Sequence, residues 1–134
     1  MNYKAGGVTI KEAAVKMLDE KERELIEALE AVGVKRNVAT IIVYLKDLDE
    51  TTTRDIEKGS GLRQPEVSIA MRMLREKGWI AEREVKGGGK GRPMRLYKLT
   101  MPVDEIIGYY EEKKLNESSR AMQSIQRLKE ISAT

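Results

Sequence analysis

Between residues 63 and 72 the chain carries Arg63, Gln64, Pro65, Glu66, Ser68, Ile69 and Arg72, a set rich in side chains suited to the edges of base pairs. A Gln amide donates and accepts at once, which is the pattern adenine presents in the major groove. An Arg fork matches guanine or a phosphate, a Glu carboxylate accepts from cytosine N4, a Ser hydroxyl bonds base or phosphate, and an Ile methyl can touch the thymine methyl. Farther on, Lys86, Lys90, Arg92 and Arg95 surround the tract Gly87-Gly88-Gly89. Cations on a glycine-rich loop can follow a phosphate backbone, or lay an arginine into a narrow A·T minor groove where the negative potential is enhanced.

These side chains act together only if the elements beneath them fix their direction. Val67, Met71 and Leu74 recur at spacings of four and three, so they share one face of a helix and leave the polar set on the other. The spacing predicts that helix over Gln64 to Lys77, with Pro65 in its first turn, where a missing N–H costs nothing. Gly78 can take the left-handed conformation that ends a helix. Upstream, a short helix from Thr53 to Lys58 brings Ile56, a Gly59-Ser60-Gly61 turn follows, and Leu62 joins the same core. Downstream, Trp79 and Ile80 open a strand, Lys86 to Lys90 form a tip, and Arg92 to Leu99 return. Alternation puts Leu96 on the core face, with Arg95 and Tyr97 on the other. Helix, turn, helix and β-hairpin are the parts of a winged helix-turn-helix, here over residues 34–100. The fold class is mainly α with a small hairpin (α+β).

The flanks read as helices. Residues 1–8 have no periodicity and are expected to be disordered. Thr9-Ile10-Lys11-Glu12 is a capping box, and a helix is expected from it to Ala31, within an N-terminal unit of residues 9–33 closed by Gly33. Asn37 can cap a second helix, Val38 to Lys46, although Ile41-Ile42-Val43 is β-branched enough to suit a strand as well. Asp47 to Glu50 reads as a loop, Thr51-Thr52 as a short third strand, and Thr52 or Thr53 as the next cap. After Pro102 a long helix is expected through Ile131, on the order of 40 Å at 1.5 Å per residue. That is longer than a winged-helix core, so two copies of the chain can cover each other. The expected homodimer contacts are Met17, Leu18, Leu25 and Leu29 on the first helix and Leu115, Met122, Ile125 and Leu128 on the last (residues 101–134).

The totals narrow the function classes. Hydrophobic residues are 40%, charged residues 35% and aromatics 4%, so the core is small and aliphatic. Net charge is +3, but its placement matters more than its size. From Arg72 to Lys98 there are nine Lys/Arg against three Glu, whereas from Lys11 to Ala31 four basic residues face seven acidic ones. A positive second helix and hairpin is what a DNA-facing surface needs. With no Cys and no His, disulfides, Cys/His zinc sites, thiol nucleophiles and the commonest general base are excluded. Gly87 to Gly91 lacks the spacing and following helix of a P-loop. Tyr109-Tyr110 reads as packing, with a crevice for a small-molecule effector as the lesser alternative. The expectation is a chain that is not an enzyme, has no metal or cofactor, and is cytoplasmic at the nucleoid with no membrane span.

Gln64-Pro65-Glu66-Val67-Ser68, followed by Met71, Leu74 and Glu76-Lys77-Gly78-Trp79-Ile80, resembles the recognition helix and the start of the wing in MarR/ArsR-type winged helix-turn-helix regulators. Lys90-Gly91-Arg92-Pro93 with Tyr97-Lys98-Leu99-Thr100 is similar to their wing and its return strand. The resemblance covers roughly residues 37–100, and the flanking helices resemble those of small archaeal members that dimerise through terminal helices. Arg63 stands where the family often has a capping Ser, and Ile69-Ala70 where it often has a basic or aromatic residue. The resemblance implies a homodimeric, sequence-specific regulator of transcription that binds double-stranded DNA, with the Gln64 helix in the major groove and the wing on the minor groove or backbone. Two other readings of the same residues stay open: an architectural chromatin-type DNA binder with little sequence choice, and a winged-helix protein-interaction module.

Overall fold

Ile41, Ile42 and Val43 lie in a helix, Arg36–Leu45, in which every residue from Val38 to Leu45 is buried. A helix that is apolar all round is a buried one, and that enclosure outweighs the slight helix penalty of β-branched residues and decides the ambiguity of the run against a strand. The computed structural model describes residues 15–86 and 93–134. Its elements are α1(Glu20–Ala31), α2(Arg36–Leu45), α3(Thr53–Ser60), α4(Gln64–Glu76), β1(Ile80–Val85), β2(Met94–Leu99) and α5(Val103–Ala133). They fall into two units, Met1–Pro102 and Val103–Thr134.

Within the first unit α2 packs against α1, α3, α4 and β2. The two polar side chains in its buried stretch both find backbone carbonyls. Thr40 donates to the Arg36 carbonyl at 2.7 Å, and the Tyr44 hydroxyl lies 2.9 Å from the Lys16 carbonyl and 3.1 Å from that of Asp55. The first helix is shorter than expected. Residues 15–19 are not helical, and α1 begins after Asp19, whose carboxylate accepts from the Glu22 N–H while Glu22 accepts from the Asp19 N–H. This second capping box, ten residues after Thr9, sets the start. The Thr9 box and the expected disorder of residues 1–8 lie outside the described residues. Leu18 and Leu29, expected at a dimer contact, are buried within the subunit and belong to its own core.

Both glycine stops behave as expected. Gly33 and Gly78 have positive φ, and the chain after each donates back into the helix, Val34 N–H to the Leu29 carbonyl and Trp79 N–H to that of Leu74. This is the Schellman pattern that satisfies end carbonyls. Thr52 caps α3 through the Asp55 N–H, and Gly61, at φ +79°, ends it. Gly59 belongs to α3 rather than to a turn. A Cβ there would collide with the Lys16 carbonyl oxygen and the Tyr44 ring, so α3 is held against α2 at a distance only glycine allows. Asn37 is not the cap of α2, which begins two residues earlier than expected, at Arg36 after Lys35. Its Oδ1 accepts from the Val38 N–H, while its Nδ2 donates to the Glu66 carbonyl at 3.2 Å and ties α2 to α4.

The hairpin is antiparallel, with Ile80 opposite Leu99 and Val85 opposite Met94. The expected third strand is reduced to one bridge, in which Thr51 and Tyr97 exchange backbone hydrogen bonds of 3.0 and 2.8 Å. Leu96 is buried as alternation requires, but Tyr97, whose backbone bridges to Thr51, is buried as well. The sequence α3, turn, α4, hairpin is a winged helix-turn-helix. In the second unit α5 is a helix of 31 residues, about 46 Å long. Ile106 and Tyr110 are buried, and residues 111–134 are exposed.

Two measurements check this packing. Gly59→Ala should cost about 3 kcal/mol, because its obstacle includes backbone that cannot turn aside, whereas Gly108→Ala, which meets nothing within 4 Å, should gain about 0.5–1 kcal/mol; urea unfolding reads both. Burial, with the charges of Asp55 and Glu22, pushes the Tyr44 hydroxyl from 10.0 up to about 12. Folding therefore favours its protonated form, and that contribution is complete below pH 10 and lost as pH rises through about 12. Tyr44→Phe should lower stability at neutral pH by about 1–3 kcal/mol and flatten the alkaline limb of a stability–pH curve.

Candidate nucleic-acid interface

α4 has two faces. Val67, Ala70, Met71 and Leu74 are buried against the domain, and each large aliphatic among them contributes about 1.5–3 kcal/mol by leaving water. Gln64, Ser68, Ile69 and Arg72 are exposed on the other side, with Ile69 55% accessible. Gln64, Ser68 and Arg72 follow at intervals of four, so they form one row on the helix surface. Gln64 Nε2 donates to Ser68 Oγ at 2.9 Å, which holds the two polar tips side by side.

Glu66 has a different occupation from the one expected. Its Oε1 accepts from the Arg63 N–H at 2.9 Å, and its other contact is the Arg63 guanidinium at 3.6 Å. It closes the first turn of α4, the position where the sequence offers no Ser to do so, and this takes one of its oxygens out of base reading. Arg63 is 86% exposed at the mouth of the turn, and Pro65 occupies the first helical turn as expected. The same turn is pinned from behind by Asn37 on the Glu66 carbonyl, a contact across 29 residues that no local pattern announces.

In the hairpin, Lys86 is exposed just beyond the end of β1. Lys90 and Arg92, the other expected contacts at the tip, lie outside the described residues. Arg95 is not an isolated cation. Its Nη1 lies 3.2 Å from Glu82 Oε2 and its Nη2 3.5 Å from Glu84 Oε1. The Glu82 charge first, and then the Tyr97 hydroxyl, strengthen its hold on its proton. Arg75, near the end of α4, reaches the other Glu82 oxygen at 3.2 Å. Arg75 lies three residues after Arg72 and so continues the row of Gln64, Ser68 and Arg72. That spacing is visible in the sequence, although the sequence reading of the site stops at Arg72.

The hairpin is also tied to the loop before α3. Arg83 Nε and Nη2 grip the two Glu50 oxygens at 2.6 and 2.7 Å. This fork holds the Glu50 carboxyl below the usual carboxylate range. Together with the Thr51 bridge it gives the wing and α3 a common anchor. Among the described residues there is no cluster of three or more His, Cys, Asp or Glu that could hold a metal, and no helix long and apolar enough to cross a membrane.

The residues expected at a subunit contact separate into two groups. Leu18 and Leu29 are buried and Leu25 is half-buried, while Met17 is exposed. On α5, Leu115, Met122, Ile125 and Leu128 are all exposed. Tyr109 and Tyr110 meet edge to face, with ring centroids 5.1 Å apart.

No protein-family model matches the sequence, and no curated protein matches it. Among solved structures the chain is similar to NMB1585, a MarR family regulator from Neisseria meningitidis, at 18% identity over 81% of this chain and 83% of that one, with a TM-score of 0.46. At that level the likeness adds nothing to what the elements themselves establish.

Proposed function

We propose that this protein is a sequence-specific, homodimeric regulator of transcription that binds double-stranded DNA. The observation that carries the reading is the exposed row Gln64, Ser68 and Arg72 on a helix whose opposite face is locked into the core. In this reading α4 lies in the major groove with its N-terminal turns toward the bases. Gln64 reads adenine, Arg72 takes guanine or a phosphate, Ser68 bonds base or backbone, and Ile69 touches a thymine methyl. Arg63 sits where the strand backbone passes the mouth of the helix. Lys86, Lys90 and Arg92 carry the wing onto the adjacent minor groove or its phosphates. The second copy is held through the exposed apolar row of α5, Leu115, Met122, Ile125 and Leu128, with Met17 and Leu25 as further contacts. A two-fold dimer then meets two half-sites about one helical turn apart.

A second reading is favoured by the engagement of Glu66. With that carboxylate closing its own helix, fewer groups are left to discriminate bases, and an architectural binder of low sequence choice needs no more. Selection from a random DNA pool separates the two, because an enriched inverted repeat supports the regulator and featureless A·T-rich output supports the architectural protein.

Direct tests use binding curves at several salt concentrations. Arg72→Ala should weaken binding by about 1–3 kcal/mol at a matched site if it reads guanine, and Gln64→Ala should relax the choice of base at one position per half-site. Lys90→Ala and Arg92→Ala should weaken binding to all sequences and each lower the salt slope by about 0.9. Gel shifts in which all four variants match the parent would refute DNA binding through this surface.

A further inference from the structure

Glu82 draws together two cations that come from different elements. Its Oε1 accepts from Arg75 Nε on α4, and its Oε2 meets Arg95 Nη1 on β2, each at 3.2 Å. In the strand register Glu82 stands opposite Tyr97 and Glu84 opposite Arg95, so Arg95 reaches diagonally to Glu82 while its Nη2 stays 3.5 Å from Glu84. All four charged side chains lie at the surface, with Arg75 50% and Arg95 57% exposed. Two guanidiniums converging on two oxygens of one small anion is the geometry that arginine also uses for phosphate. Ion pairs this exposed contribute little to stability, so this one can be exchanged readily.

We propose that Arg75 and Arg95 form a clamp for a phosphate of the DNA backbone, and that Glu82 occupies the clamp until DNA displaces it. The proposal rests on the DNA-binding reading and extends it to two cations that join the recognition helix to the wing. Arg75 continues the Gln64, Ser68, Arg72 row at a spacing of three, so a duplex meeting that row passes Arg75 as well. The non-bridging oxygens of a phosphate replace the two Glu82 oxygens, and the carboxylate swings out to solvent. Glu82 is therefore a brake on affinity that acts on every sequence alike. It keeps non-specific binding weak and leaves base contacts to decide where the protein stays.

The test is fluorescence anisotropy with a labelled duplex of random sequence, titrated at several salt concentrations with the full chain. Glu82→Gln keeps the shape of the side chain and removes its charge. It should tighten binding about three- to tenfold at low salt, a larger gain than Glu76→Gln, which removes one exposed negative charge from the end of α4, outside the clamp. Adding Arg75→Ala and Arg95→Ala should abolish the gain and lower the salt slope by about 1 to 2. A gain no larger than that of Glu76→Gln, or one that survives loss of both arginines, overturns the clamp while leaving DNA binding intact. If neither the parent nor Glu82→Gln binds any duplex at low salt, the DNA-binding reading falls and the clamp falls with it. Thermal melts of each variant confirm that the comparison is between folded proteins.

Discussion

Enclosure of α2 on every side is the constraint from which the first unit follows. A helix with eight consecutive buried residues has no wet face, so it must be covered all round, and α1, α3, α4 and β2 supply the cover. Each of those elements turns one apolar side inward to do so, and each consequently has one side left for water. For α4 the inward side is Val67, Ala70, Met71 and Leu74, and the outward side is the polar row. The direction of the candidate DNA-binding face is thus a by-product of burying Ile41, Ile42 and Val43. The two polar groups carried into that core, Thr40 and Tyr44, are tolerated because each finds a carbonyl.

A close approach in this arrangement is at Gly59, where α3 meets the ring of Tyr44 and the Lys16 carbonyl. Tyr44 bonds that same carbonyl, so three segments far apart in the chain converge on one hydroxyl. Helix-turn-helix geometry depends on how α3 sits beneath α4. The distance between α3 and α2 is set here by the absence of a side chain, and the angle of α4 is set by Gly61 and by the Asn37 bond to the Glu66 carbonyl. The wing is attached by separate means, through the Arg83–Glu50 fork and the Thr51 bridge. Polar links at the rim thus add direction to a core that supplies the cohesion.

What the sequence discloses follows the range of the interaction. Stops at Gly33 and Gly78, Pro65 in a first turn, the spacing of Val67, Met71 and Leu74, and alternation around Leu96 are all local, and each can be read from a few neighbouring residues. The start of α1 is local too, yet Thr9-x-x-Glu12 and Asp19-x-x-Glu22 are equally good capping boxes, and spacing alone does not rank them. Leu18 and Leu29 share a stripe with Met17 and Leu25, and no periodicity separates residues that face their own core from residues that face outward. Gly59 looks like one of a turn's glycines until Tyr44, fifteen positions earlier, is seen beside it. The Arg83–Glu50 fork spans 33 residues and has no sequence signature at all.

Charge behaves differently from shape in this respect. The surplus of Lys and Arg from residue 72 to residue 98 is a property of composition, but much of it is compensated in the folded chain. Arg75 and Arg95 share Glu82, Arg95 also meets Glu84, and Arg83 is taken up by Glu50. Fewer free cations face outward than the count suggests, and those left in the described part of the face, Arg72 and Lys86 among them, lie along α4 and at the end of β1. If this surface binds DNA as proposed, it attracts a polyanion only moderately at long range, and its strongest contacts form when the internal carboxylates give way at close range. A weak field at a distance and a stronger grip on contact let a protein leave wrong sites quickly, because the sequence-independent part of the affinity stays small while contacts to the bases accumulate only on a matching site.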